Sequence, residues 1–171
     1  MQKSVVLTVL GEDRPGLVRS LSEVIARHQG NWAESRMVEL AGKFAGLLEV
    51  SVPEGEADHF VTSLEALQGK GMRILVEQVN AVSDEDEGEL LHLEILGPDA
   101  PGIINNITGE LARLQVNVHE LSSEQRQAPM SGEILFFASL TLELPDEVSE
   151  EQVQDALEGL ADQLMVDFSF S

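Results

Sequence analysis

Residues 11–17 read Gly-Glu-Asp-Arg-Pro-Gly-Leu and residues 97–103 read Gly-Pro-Asp-Ala-Pro-Gly-Ile. Each stretch follows alternating apolar residues and precedes apolar residues at helical spacing, so each stands where a strand hands over to a helix. The first turn of a helix leaves backbone N–H groups unpaired and carries a partial positive charge, which attracts carboxylates. Asp13 and Asp99 are expected to supply a capping oxygen, and Pro15 and Pro101 are preorganised for the first helical turn. Gly16 and Gly102 lack a Cβ and let a small ligand come close to the backbone. Asp13 or Asp99 could face a ligand ammonium. Asn31 and Asn117, at the start of the following strand, offer both a donor and an acceptor. The set suits a zwitterion such as a small amino acid. The same residue types are also plain helix-start and turn signals, and the sequence alone leaves both readings open.

The elements that must position these residues come twice. At an offset of 86, Leu7, Leu10, Gly11, Asp13, Pro15 and Gly16 match Leu93, Leu96, Gly97, Asp99, Pro101 and Gly102. Ala26-Arg27, Asn31 and Glu34 match Ala112-Arg113, Asn117 and Glu120 at that same offset of 86. Beyond Gln127–Gly132 the offset grows to 92, so the second copy has gained about six residues there. Val5, Leu7 and Val9 alternate as a strand with one deeply buried face. Leu17, Val18, Leu21, Val24 and Ile25 follow at helical spacing, and Gly30 serves as the stop signal. A strand over 31–40 turns at Ala41-Gly42 into another in which Phe44, Leu48, Val50 and Val52 share a face. A helix with Phe60, Leu64 and Leu67 and a strand over 72–79 complete the unit. Trp32, matching Val118, is read as a core residue opening the second strand.

The order strand–helix–strand–strand–helix–strand, twice, predicts an α+β chain of two ferredoxin-like domains. Each is an antiparallel four-stranded sheet with both helices on one face. The expected boundaries are a first domain over 1–82, an acidic linker over 83–88 and a second domain over 89–171. The tip Arg126–Gly132 is an extended hairpin in the second domain, either an idle insertion or a partner contact or lid.

Composition removes several function classes. There are no cysteines, which excludes disulfides, thiolate metal sites and cysteine nucleophiles and fits a cytoplasmic protein. Apolar runs are too short for a membrane span or a signal peptide's apolar core. The net charge is −21, with 8 basic against 14 acidic residues up to residue 86 and 2 against 17 beyond it. Nucleic-acid binding needs a basic stripe, and the second half has nothing to build one from. Such acidity serves solubility or docking to a basic protein partner. His28, His59, His92 and His119 are scattered, none at metal-ligand spacing, and are read as surface or strand residues, so no metal site is expected. Asp84–Glu89 resembles a calcium loop only superficially, its glycine at the fifth position rather than the sixth. Phosphate-loop, dinucleotide and nucleophile-elbow motifs are absent, and no catalytic residues are assigned.

The Gly-x-Asp-x-Pro-Gly-[Leu/Ile] junction, with Asn at the next strand inside a βαββαβ unit, resembles the ACT domain. Two such domains filling the chain resemble the glycine cleavage system transcriptional repressor family. The resemblance implies a regulatory, non-enzymatic protein without a cofactor, binding an amino-acid effector, glycine favoured, where one domain's first loop and helix meet a neighbouring domain. The ligand-binding positions it implies are Asp13, Arg14, Pro15, Gly16, Leu17 and Asn31, with Asp99, Ala100, Pro101, Gly102, Ile103 and Asn117 in the second copy. Arg14 against Ala100 implies a weaker or empty second site if a side-chain charge helps hold a carboxylate. The family further implies indirect repression, through a LysR-type DNA-bound activator rather than through DNA itself, with glycine relieving that association. The alternative expectation is a ligand-independent regulatory subunit, a stable complex or homodimer indifferent to amino acids.

Overall fold

The computed structural model describes residues 1–79 and 88–171. The expected linker over 83–88 and the Asp84–Glu89 stretch therefore fall largely outside the described residues. The chain divides into two units, residues 1–83 and 84–171. In the first unit the elements are β1 (Gln2–Glu12), α1 (Leu17–Arg27), β2 (Asn31–Leu40), β3 (Lys43–Pro53), α2 (Ala57–Gln68) and β4 (Met72–Gln78). In the second they are β5 (Glu89–Pro98), α3 (Ile103–Arg113), β6 (Asn117–Gln127), β7 (Ile134–Leu144), α4 (Glu150–Leu164) and β8 (Asp167–Phe170). Each unit is one four-stranded sheet, ordered β2-β3-β1-β4 in the first and β6-β7-β5-β8 in the second. All the pairings are antiparallel. The α+β expectation, two split βαββαβ units, holds.

Alternation along the strands sets the layers. In register, Val5, Leu7 and Val9 of β1 lie beside Val50, Leu48 and Gly46 of β3, and Leu7 and Val9 lie beside Val76 and Ile74 of β4. This side meets Leu17, Leu21, Val24 and Ile25 of α1 and Phe60, Leu64 and Leu67 of α2 in one buried cluster. The second unit repeats the arrangement with Leu91, Leu93, Ile95, Ile107, Leu111, Leu140, Val153 and Leu157. Trp32 packs against the first core partly buried, its indole Nε1 donating to Ser35 Oγ at 3.0 Å. The register slips by one residue between Trp32 and Glu34, and again between Val118 and Glu120. This shared β-bulge leaves no periodicity signal.

The end of α1 differs from expectation. The residue in the left-handed region is Gln29 (φ 59), mirrored by Gln115 (φ 60), and not Gly30. Gly30 is needed for another reason: a Cβ there would lie 2.9 Å from Ile25 Cγ2 and 3.2 Å from Val52 Cγ1. The hairpin tips also differ. Ala41 (φ 51) and Gly42 (φ 79) make a two-residue turn in the first unit. In the second, Arg126 and Gln127 still belong to β6, and the added residues form a turn closed by Ala128 N donating to Glu133 O at 2.8 Å. Among the acidic side chains, Glu150 at the start of α4 hydrogen-bonds Glu89. That bond, then burial, then the like charge raise its pKa above the usual carboxylate value, so the shared proton is kept at low pH and lost as pH rises through the raised value.

Gly109 in α3 and Gly159 in α4 are exposed and helical, and a Cβ at either meets nothing within 4 Å. Gly109→Ala and Gly159→Ala are each expected to stabilise their unit by about 0.5–1 kcal/mol, read as a higher urea midpoint at unchanged slope.

Candidate functional site

The handover from β1 to α1 is made by backbone conformation. Gly16 is the N-cap residue of α1, with φ 92 and ψ −4, and Gly102 caps α3 with φ 87 and ψ 3; neither helix has a side-chain cap. The expected capping by Asp13 and Asp99 is thus corrected, and Pro15 and Pro101 lie one residue before the cap rather than in the first turn. Only a glycine takes that left-handed angle without strain. Leaving the cap to backbone keeps the first N–H groups of α1 free of side-chain acceptors, the condition an anion would need. Asp13 is held by its own N–H, donating to Gly42 O at 2.9 Å. In the second unit the Asp99 carboxylate is engaged, accepting from Gln125 Nε2 at 2.8 Å.

Beside the Gly16 turn lies a cleft of about 270 Å³ lined by Arg14, Pro15, Gly16, Leu17, Ser20, Leu67, Lys70 and Met72. The structure brings four of the expected residues together there, Arg14, Pro15, Gly16 and Leu17. Asp13 is not part of the lining. The Arg14 guanidinium rests against the backbone of Gly71, where a Cβ would lie 3.3 Å from its Nη2. Gly71, at φ 86, allows that approach. On its other side a depression of about 580 Å³ is lined by residues including Lys43, Gln68, Gly71 and Arg73. Four of the first unit's cations, Arg14, Lys43, Lys70 and Arg73, thus gather at one end of the sheet. Among the described residues Arg14, Lys70 and Arg73 make no ion pair, while Lys43 pairs with Glu12.

Register shows what the second unit has instead. Arg73 lies opposite Leu10, and its counterpart opposite Leu96 is Asp167. The same alignment sets Leu164 at the place of Lys70 and Ala100 at that of Arg14. Asn106 Nδ2 also donates to Gly102 O at 2.9 Å, occupying the turn itself. Two units with the same backbone therefore differ in charge at the same spot: where the first has Arg14, Lys70 and Arg73, the second has Ala100, Leu164 and Asp167.

Asn31 and Asn117 are not brought to these clefts. Asn31 lies opposite Ser51, which lies opposite Ser4, whereas the junction follows Glu12. From Ser4 to Glu12 along β1 is roughly 26 Å at about 3.3 Å per residue. Asn117, opposite Glu143, likewise lines a depression with Gln115, Glu143 and Pro145 at the end of its unit away from Gly102. Each asparagine opens a strand running parallel to the one before the junction, so within one unit the two halves of the expected set stand at opposite ends. Lys70 and Ser20 were missed by sequence reasoning. Lys70 follows the second helix and reaches the cleft only through the sheet's crossover, which no local pattern reveals.

His28 corrects the view of the histidines as surface or strand residues, being 8% exposed at the end of α1. Its Nδ1 is 3.1 Å from Glu56 Oε2 and its Nε2 is 2.8 Å from Ser63 Oγ, with the ring edge-on to Phe60. The order Ser–His–Glu is that of a nucleophile relay. Ser63, however, sits inside α2, where the surrounding N–H groups are spent on the helix and none is left for an oxyanion. The trio ties α1 to α2. Its counterparts in the second unit, Leu114, Ser149 and Ala156, include no such trio.

Two family models, each described as the ACT domain, match residues 3–76 and 92–162. A UPF0237 protein of Methanopyrus kandleri is 36% identical over 88 residues, 51% of this chain and 93% of that relative. The glycine cleavage system transcriptional repressor of Escherichia coli is 22% identical over 165 residues, covering 95% of this chain and 86% of the relative. The crystal structure of an unknown protein from Galdieria sulphuraria superposes with a TM-score of 0.88 at 29% identity, over 100% of this chain and 98% of that one. None of the described helices is long and apolar enough to cross a membrane.

His28→Ala is expected to cost about 1–3 kcal/mol in urea unfolding, because Ser63 and Glu56 lose their partner in a half-buried place. His28→Leu combined with Ser63→Ala, which copies Leu114 and Ala156, should recover much of that loss, and a double-mutant cycle measures the coupling.

Proposed function

Since this chain belongs to the ACT-domain family through both of its units, we propose that it is an amino-acid-responsive regulatory protein with no catalytic activity of its own. The effector is a small amino acid, with glycine the first to test, because the similar Escherichia coli protein is named a glycine cleavage repressor. The observation that carries this reading is the cleft at the uncapped start of α1, with Arg14 and Lys70 in its wall. A carboxylate there meets two cations and the free N–H groups of a helix start. The second unit lacks those cations, which supports one working site per chain, in the first unit. Asp13, just outside the cleft, and Asn31 of a neighbouring domain would face the ammonium.

Repression in this reading is indirect. A net charge of −21 disfavours contact with DNA and favours a basic protein surface, here a LysR-type activator already bound to its operator. The amino acid shifts the balance between forms that do and do not hold that partner, by as much as its affinity differs between them. The competing reading is a ligand-indifferent interaction subunit of an amino-acid enzyme, which the −21 charge alone would equally serve.

Thermal unfolding of the full chain with a panel of amino acids separates the two. At about 100 times its dissociation constant a bound effector stabilises by roughly 2.7 kcal/mol. Glycine or another small amino acid should raise the transition, and Arg14→Ala with Lys70→Ala should remove that rise while leaving the ligand-free transition in place. Gly16 is a poor choice of probe, since any Cβ there is strained. No shift with any amino acid overturns the effector reading and leaves the interaction subunit.

A further inference from the structure

The turn between the second helix and the last strand is built alike in both units but filled differently. Arg73 and Asp167 hold the same place, opposite Leu10 and Leu96, so two residues earlier Gly71 corresponds to Met165. Close backbone approach at the neighbouring strand agrees with that match. A Cβ on Gly11 would lie 3.0 Å from Gly71 O, and one on Gly97 would lie 2.8 Å from Met165 O. Both turn residues are left-handed, Gly71 at φ 86 and Met165 at φ 58. The fold therefore accepts a long side chain at this position, and Met165 is 72% exposed. Chain reversal alone does not account for a glycine at 71. The side chain lying against the turn does. The three atoms nearest a Cβ on Gly71 all belong to Arg14, with Nη2 at 3.3 Å, Cζ at 3.8 Å and Nη1 at 4.0 Å. The counterpart of Arg14 is Ala100, too short to be displaced by anything at the turn. Arginine goes with glycine and alanine with methionine, a paired exchange within one chain.

We infer that Gly71 is a positioning residue for effector binding: its bare backbone is the seat on which Arg14 is held ready for the effector's carboxylate. The inference rests on the amino-acid reading of the cleft and names the residue that makes Arg14 effective there. Arg14 comes from the loop before α1 on a long, flexible side chain. Such a side chain loses its freedom when it grips a ligand, and that loss weakens the complex. Contact with Gly71 restricts the guanidinium beforehand. Its donors are left unspent, since the Arg and Lys ion pairs among the described residues fall to Arg19, Arg36, Lys43, Arg113 and Arg126. A guanidinium already in place offers a carboxylate two parallel N–H donors. Gly71 acts only through Arg14, because Arg14 lines the cleft and Gly71 does not. Lys70 lines the same cleft, so the turn supplies one cation from its own sequence and seats the other. A side chain at 71 would take the guanidinium's place. The guanidinium is the free end of its side chain, so it swings aside and the fold stays intact. The cleft then keeps Lys70 and loses the aimed partner. Met165 shows what the same turn holds when no arginine has to be seated.

The test is a double-mutant cycle on the full chain. It is read by calorimetric titration with glycine or, in its place, the amino acid of the panel that raises the thermal transition most. Gly71→Met and Arg14→Ala should each raise the dissociation constant about tenfold. Arg14→Ala combined with Gly71→Met, which copies Ala100 and Met165, should bind no more weakly than Arg14→Ala alone. The strain of a side chain at φ 86 is common to the single and double variants and cancels from the cycle. Gly71→Asn, a residue type that visits the left-handed angle readily, should show the same dependence on Arg14 and serves if Gly71→Met folds poorly. A residue needed only for the shape of the turn, or acting through Lys70, would instead make the two losses multiply. That outcome overturns the inference and leaves the effector reading standing, as does a Gly71→Met chain that binds as tightly as wild type. A wild-type chain that binds none of the panel overturns the effector reading, and the inference falls with it.

Discussion

Two helices cover one side of a four-stranded sheet and no more. That limit organises each unit. It fixes which alternate residues of β1, β3 and β4 are core, and it forces α1 to turn back over the sheet directly after β1. It also leaves a second side on which each copy had to settle its own relation to water. The second unit answers with serines, Thr141 and glutamates set among Leu90, Leu96 and Phe137, a more polar side of the kind an antiparallel sheet can turn to water. The first unit keeps leucines. Duplication supplied one backbone twice, and the two copies spend its uncovered surface differently.

The same contrast runs through the strand-to-helix junction. Gly16 and Gly102 share a left-handed angle within a few degrees, and both helices start without a side-chain cap. What differs is the company. Arg14, Lys70 and Arg73 converge on the first junction from a loop, a helix end and a strand start, while Ala100, Leu164 and Asp167 stand at the matching places of the second. A helix start is only weakly selective for anions by itself. Side chains delivered by other elements decide whether it does anything, and in this chain one copy has them and the other does not.

Much of the fold was legible because its signals are local and repeated. The alternation of Val5, Leu7 and Val9, the helical spacing from Leu17 to Ile25 and the Ala41-Gly42 turn all act within a few residues, and the first two have counterparts in the second half to check them. The helix ends were less legible. Gln29 and Gln115 take the left-handed angle although glutamine carries no such signal, and Gly30 is there for packing against Ile25 and Val52. The site was half legible. Arg14 to Leu17 form one segment and arrive together. Asn31 was grouped with them by sequence nearness, but α1 spans the sheet and delivers it to the far end. Lys70 and the burial of His28 depend on which helix lies beside which, information that exists only once the chain has crossed over.

The placement of Trp32 has an optical consequence. It is the only tryptophan in the chain, it packs against the core of the first unit, and it follows Asn31 at the end of the sheet remote from the Arg14 cleft. There is no tyrosine to compete with it. Its emission therefore follows melting of the unit against whose core it packs. Dichroism sums over both units, so a transition that it shows and the indole does not is assigned to the other half.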